Sequence, residues 1–176
     1  MTILTALKAD HDLFKKLLKG ILGTTNSDKR NHLFEQLKTE LTAHSRAEEK
    51  VLYEPLEKSK EGKPEALEGF VEHEVAYYLV TELSDMAGVE SDEWTARCHV
   101  LQEMLTHHIE EEEGELFAKT REGLAAERLE EIGSEIERQK EAGARTERRS
   151  ASKRSARKSS SGGSQKKSGK KRAQGS

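Results

Sequence analysis

His44-Ser45-Arg46-Ala47-Glu48-Glu49-Lys50-Val51-Leu52-Tyr53 and His108-Ile109-Glu110-Glu111-Glu112-Glu113-Gly114-Glu115-Leu116-Phe117 are two versions of one pattern, His-x3-Glu-Glu-x2-Leu-aromatic. Each follows a lone histidine flanked by acids. Asp10-His11-Asp12 stands 33 residues before His44, and Glu72-His73-Glu74 stands 35 residues before His108, counting histidine to histidine. A pattern that recurs with its partner at a matched interval marks a duplicated helical hairpin, whose halves can face each other around a local two-fold.

Outward from the repeat, the periodic signal is helical throughout, with two prolines and no β-branched runs. A first helix over about 2–22 carries Leu4, Leu7, His11, Phe14 and Leu18 on one stripe. After the turn residues 23–27, in which Ser27 is the expected N-cap, a second helix covers about 28–58. Its stripe is Leu33, Leu37, Leu41, His44, Glu48 and Leu52, and Pro55 loosens or ends its last turn. A third helix spans about 65–87, with Pro64 suited to its first turn and Gly88 closing it. A fourth spans about 92–119, capped by Ser91, and a short fifth from about 123 to 138 carries Leu129, Ile132 and Ile136.

A histidine and a glutamate four apart lie one above the other, about 6 Å along the helix axis, and reach a common point. Two such pairs facing inward, His44 with Glu48 and His108 with Glu112, with His11 and His73 opposite, make four imidazoles and two carboxylates converging on a bundle interior. That set suits two divalent transition ions with bridging carboxylates and terminal imidazoles. Other metal patterns fit less well. His73-Glu74-Val75-Ala76-Tyr77 lacks the second histidine of a zinc-protease helix. No histidine has a glutamate three residues before it, as ferritin-like centres require. His107 fits the register less well than His108 and reads as flanking. His32 and His99 read as surface residues, and Glu49, Glu111 and Glu113 as supporting or solvated acids, with Glu49 or Glu113 able to replace a bridge if the register slips.

The composition is two unlike parts. Residues 1–137 carry 16 basic against 31 acidic residues, and 138–176 carry 14 against 2. The domain division follows: a helical, acidic domain over 1–137 and a basic Ser/Lys/Arg/Gly-rich tail over 138–176, expected to be disordered because it has no apolar periodicity. Lys153-Arg154, Arg157-Lys158, Lys166-Lys167 and Lys170-Lys171-Arg172 are spaced cations without aromatics, suited to nonspecific nucleic-acid binding by counterion release. The single cysteine, Cys98, forbids an internal disulfide and reads as a small helix residue. No signal peptide and no membrane-length apolar run is evident, so a reducing, cytoplasmic setting is expected.

The paired motifs resemble the hemerythrin, or HHE cation-binding, family over about residues 3–137. The resemblance implies an all-α, antiparallel up-down four-helix bundle holding a non-haem di-iron centre, two Fe ions with an oxo or hydroxo bridge between them. Residue by residue, it implies that His11, His44, Glu48, His73, His108 and Glu112 are metal ligands. One position departs from the family pattern: Tyr77 stands where hemerythrins place a second histidine four residues after the third-helix ligand. Tyr77 is therefore expected as a phenolate ligand, one turn from His73. Its counterpart in the first half, Lys15, does not ligate while protonated. One iron would then have His73, His108 and Tyr77, the other only His11 and His44, with Glu48 and Glu112 bridging. A hard anionic ligand stabilises ferric iron and disfavours reversible O2 binding, so peroxide, O2 or nitric oxide chemistry or sensing is expected, catalase-like turnover being the simplest case. Iron or oxygen sensing or storage without turnover is the alternative, and a tail-mediated protective role at nucleic acid is a third.

Overall fold

Helix α1 (Ile3–Leu22) opens at Thr2, whose side-chain oxygen accepts from the Thr5 amide at 3.3 Å, and closes at Gly23, whose N–H donates to the Lys19 carbonyl. Helix α2 (Ser27–Glu48) is capped by Asn26 rather than by Ser27: the Asn26 carboxamide accepts from the Lys29 amide at 2.8 Å, which leaves Ser27 as the first helical residue. In this computed structural model residues 1–60, 62–123, 125 and 127–142 are described, and all regular structure among them is helical.

The helices read from the sequence as 28–58 and 92–119 are each interrupted. α2 passes at Glu49 into a π turn, Glu49–Tyr53, before resuming as the short α3 (Glu54–Glu57), with Pro55 in its first turn. α4 (Lys63–Asp85) has Pro64 in its first turn, as expected. It stops short of Gly88 because Met86 turns extended and, with Val89, packs back against the core. α5 (Asp92–Glu111) is capped by Ser91, which accepts from the Trp94 amide at 3.1 Å. A second π turn, Glu112–Leu116, then leads into α6 (Phe117–Gly123). A last helix, α7, covers 127–142, four residues beyond the expected end, and buries Leu129, Ile132 and Ile136. The basic tail from 143 onward, expected to be disordered, lies outside the described residues.

Four long helices close a ring, α1 against α2 and α5, and α4 against α5 and α2. Their apolar stripes form two separate clusters. One gathers Phe14, Phe34, Leu37, Trp94 and Leu101, and the other Ile3, Leu7, Leu52, Tyr53, Phe117 and Ile136. A layer of buried polar residues belongs to neither cluster: His11, His44, Glu48, His73, His108 and Glu112. Buried Arg30 ties down the loops beyond the first cluster, donating to the Thr24 and Val89 carbonyls and lying over the Trp94 ring. Cys98 is fully buried there, and burial pushes its thiol up to about 11, so it is a core residue and no nucleophile.

α7 is held against the N-terminus at Gly133, where an added Cβ would stand 2.5 Å from the Met1 carbonyl oxygen and 2.6 Å from the Ile3 nitrogen. Both are backbone atoms and cannot swing aside. Gly133→Ala is therefore expected to lose about 1–3 kcal/mol by overpacking, despite the better helix propensity of alanine. Chemical denaturation checks the sign: a stabilised variant would show that the contact yields. Among the described residues, no helix is long and apolar enough to cross a membrane.

Candidate metal centre

Each histidine of the polar layer turns Nε2 inward and Nδ1 outward. Inward, His11 Nε2 is 3.1 Å from Glu112 Oε2, and His73 Nε2 is 3.3 Å from Glu48 Oε2. Within each motif, His44 Nε2 lies 3.4 Å from Glu48 Oε2 and His108 Nε2 lies 3.9 Å from Glu112 Oε2. The ligand atoms fall into two groups, His11, His44 and Glu112 in one and Glu48, His73 and His108 in the other. Six of the seven residues singled out in the sequence are thus brought together, one histidine pair to each group.

Outward, every Nδ1 meets a second acid. His44 pairs with Asp10 at 2.9 Å and His108 with Glu72 at 2.6 Å, each within its own half. His11 pairs with Glu113 and His73 with Glu49, both at 3.0 Å and both across the halves. The acid before each lone histidine and the acid after each motif glutamate therefore have matching duties, and the contacts repeat under the two-fold. Such a carboxylate fixes the ring and its tautomer, leaving Nε2 free to ligate. Removing it without touching a ligand, as in Glu49→Ala or Glu113→Ala, is expected to weaken metal affinity by about 10–100-fold. Competition with a chelator measures this, and an unchanged affinity would show that packing alone orients the rings.

The π turns bring the motif aromatics to the centre. In a regular helix a residue nine beyond the histidine lies about 180° away from it, and one extra residue in a widened turn swings it back by about 100°. Phe117 consequently stacks on His11, with centroids 6.2 Å apart and planes at 18°, and Tyr53 lies on His73 at 5.3 Å and 31°. The halves differ here. Burial, then the charges of Glu48 and Glu112, push the Tyr53 phenol far up, so it keeps its proton. Its hydroxyl lies beside Glu48. Its ring fits because α4 has Gly69, where an added Cβ would stand 2.5 Å from Tyr53 Cε2. The position four before the other lone histidine is Leu7.

Whether these residues fit a cation is decided by what they lack. Both oxygens of Glu48, both of Glu112, and Nε2 of His11 and His108 are buried without a hydrogen-bond partner. Buried polar atoms are nearly always paired, so this concentration of orphans in one layer is the signature of a cation's place. Without a cation, burial and the neighbouring Glu48 push Glu112 up and keep it protonated. Glu48 stays ionised, burial being outweighed by Glu112, His44 and His73. Burial, then the charge on His44, lowers His11 to about 4, while on His44 burial is outweighed by Glu48 and Asp10, which lift it to about 9. Imidazole and carboxylate donors without sulfur suit iron or manganese.

Tyr77 does not join the centre, and the expectation of a phenolate ligand there is corrected: its side chain is 60% exposed. The buried stripe of α4 runs Ala66, Gly69, His73, Ala76, Val80, so it steps by three after His73 and carries Tyr77 off the inward face. The tyrosine that reaches the centre is Tyr53, marked in the sequence only as the aromatic that closes the repeat. His32, His99 and His107 are exposed. A cavity of about 540 Å3 between α4 and α5 reaches Tyr53, His108 and Glu112 from a mouth lined by Glu68, Glu72, His107 and Glu111.

The chain has relatives among known proteins. The model of the hemerythrin HHE cation binding domain matches residues 2–120. A DNA nickase of Nostoc sp. is 28% identical over 136 residues, which are 77% of this chain. The chain spans only 38% of that protein's length. No solved structure matches.

Proposed function

The chain belongs to the hemerythrin HHE cation-binding family, and on that premise we propose that it is an up-down antiparallel four-helix bundle holding two iron ions that act on hydrogen peroxide. His11 and His44 would hold one ion and His73 and His108 the other, with Glu48 and Glu112 shared. The observation that carries this reading is the layer of unpartnered Nε2 and carboxylate oxygens between two apolar clusters. Two irons held there would supply the two-electron exchange by which one hydrogen peroxide is reduced to two waters and a second is oxidised to O2.

The chain's own residues leave room for a small exogenous ligand such as peroxide. Four imidazoles and two carboxylates leave two ions short of protein ligands, and the cavity gives a small molecule access to Glu112 and His108. That cavity is lined by Glu65, Glu68, Glu72, Glu110 and Glu111, an acidic passage suited to a hydrogen-bonding, water-miscible ligand and to proton exchange. The Tyr53 phenol holds a proton on the Glu48 side. The reading assigns the chain through the end of α7 at 142, beyond the boundary at 137 expected from the charge division, to the cation-binding domain and 143–176 to a basic tail, in a reducing cytoplasm where Cys98 stays free.

Iron-loaded protein is expected to consume peroxide well above the rate of free iron, and Glu48→Ala to lose that excess. Iron-dependent stability without turnover would instead make the protein a sensor or store.

The relative named a DNA nickase, together with the cationic tail, favours a second reading in which the centre works beside nucleic acid. DNA retardation that falls steeply with salt and is lost when the tail's lysines and arginines become glutamine would establish it. Conversion of supercoiled plasmid to nicked circles would show that the chemistry reaches the backbone.

A further inference from the structure

α5 carries a third histidine–glutamate pair at the ligand spacing, His107 and Glu111, turned one residue round the helix from His108 and Glu112. His107 Nε2 and Glu111 Oε1 are 3.2 Å apart. With Glu72 of α4 they offer three ligand atoms within 4.8 Å of one another.

The duplication shows that the repeat does not require this pair. The positions equivalent to His107 and Glu111 are Ala43 and Ala47, both buried, and the equivalent of Glu72 is Asp10. Asp10 and Glu72 share one duty, accepting from Nδ1 of a ligand histidine. Their other neighbours differ. Asp10 Oδ1 receives the Lys140 ammonium from α7 at 2.7 Å. Beside Glu72 the second half places His107 and Glu111 instead, at the mouth of the 540 Å3 cavity. A cation made of the chain itself neutralises one acid, and an open set of donors surrounds the other. Further in, the same cavity is lined by Glu112 and His108, 3% and 5% exposed, with both Glu112 oxygens and His108 Nε2 unpartnered.

We propose that Glu72, His107 and Glu111 form a third divalent-cation site, at the mouth of this cavity, which takes a hydrated ion from solution and passes it to the buried centre. One imidazole and two carboxylates leave the remaining positions to water, so the ion is held loosely. Inside, two buried carboxylates and four imidazoles bind it more tightly, and the gradient of affinity runs inward. The site rests on the reading of the buried layer as a metal centre.

Metal-free full-length protein mixed anaerobically with limiting Fe(II), quenched with chelator at intervals and analysed for bound iron, tests the route. The double variant His107→Ala, Glu111→Ala installs the residues of the first half. It is expected to fill about tenfold more slowly or worse, since an acidic cleft raises cation on-rates by at least that factor. Its final iron content should equal that of the wild type. Glu103→Ala, an exposed acid of the same helix outside the cavity, should fill at the wild-type rate. Equal rates in the wild type and the double variant overturn the mouth site, as does equal slowing in Glu103→Ala, which would reduce the effect to net charge. A double variant that never reaches wild-type content also overturns it, because the pair would then belong to the centre itself. Wild-type protein that binds no iron overturns the buried-centre reading, and the mouth site with it.

Discussion

Glu48→Gln is expected to abolish iron binding and, with it, every iron-dependent gain in stability. Glu48 Oε2 stands 3.4 Å from His44 Nε2 and 3.3 Å from His73 Nε2, so one carboxylate serves histidines of both halves. Glutamine keeps the volume but offers one neutral acceptor where two anionic oxygens stood. Binding to the native state stabilises it by RT ln(1 + [L]/Kd), about 4 kcal/mol when free iron exceeds Kd a thousandfold. That increment should appear in wild-type melts with Fe(II) under argon and be missing from the variant. Metal-free, the two proteins should differ far less. Losing the Glu48 charge lets His44, now lifted to about 9 by Glu48 and Asp10 against its burial, fall back and become neutral, so no buried charge is stranded. A variant that binds iron and melts later for it would show that Glu48 is not a shared ligand.

The second large effect is at Gly69, which no ligand pattern marks. Alanine is worth about 1 kcal/mol more than glycine inside a helix, so Gly69→Ala would stabilise an isolated α4. In the fold the new Cβ would lie 2.5 Å from Tyr53 Cε2 and 2.6 Å from Cζ. Displacing a buried ring in a packed interior costs about 1–3 kcal/mol, so the clash outweighs the propensity gain. The variant should melt earlier, and its iron spectrum should change, because the displaced ring is the one lying on His73. In a Tyr53→Leu background the same alanine should become neutral or stabilising, and the double-mutant cycle measures the coupling. Additive effects would remove Tyr53 from the account. Tyr53→Phe, which keeps the ring and removes the phenol proton facing Glu48, separates packing from chemistry: stability should hold while peroxide consumption falls.

The sequence by itself determined the helices, the duplication and six of the residues that meet at the centre. His44 with Glu48, and His108 with Glu112, are i, i+4 pairs, and that geometry belongs to a single helix whatever it packs against. The charge division between 1–137 and 138–176 is likewise a property of the chain alone. Tertiary structure decided what depends on how helices meet. Residues four apart share a face, which by itself puts Tyr77 beside His73. The buried stripe of α4 instead steps by three after His73, as packing against α2 and α5 requires, and Tyr77 turns to solvent. Tyr53 reaches the centre through a π turn, a hydrogen-bond shift invisible in residue spacing, in which one extra residue swings the chain by about 100°. The partners of each Nδ1 were legible only as nearby acids, since Glu49 reaches His73 and Glu113 reaches His11 across the bundle. The inequality of the halves lies in Tyr53 against Phe117, Gly69 against Leu7, and His107 and Glu111 against two alanines. Periodicity is written along one helix, whereas register between helices and the width of a turn are set by the neighbours it packs against.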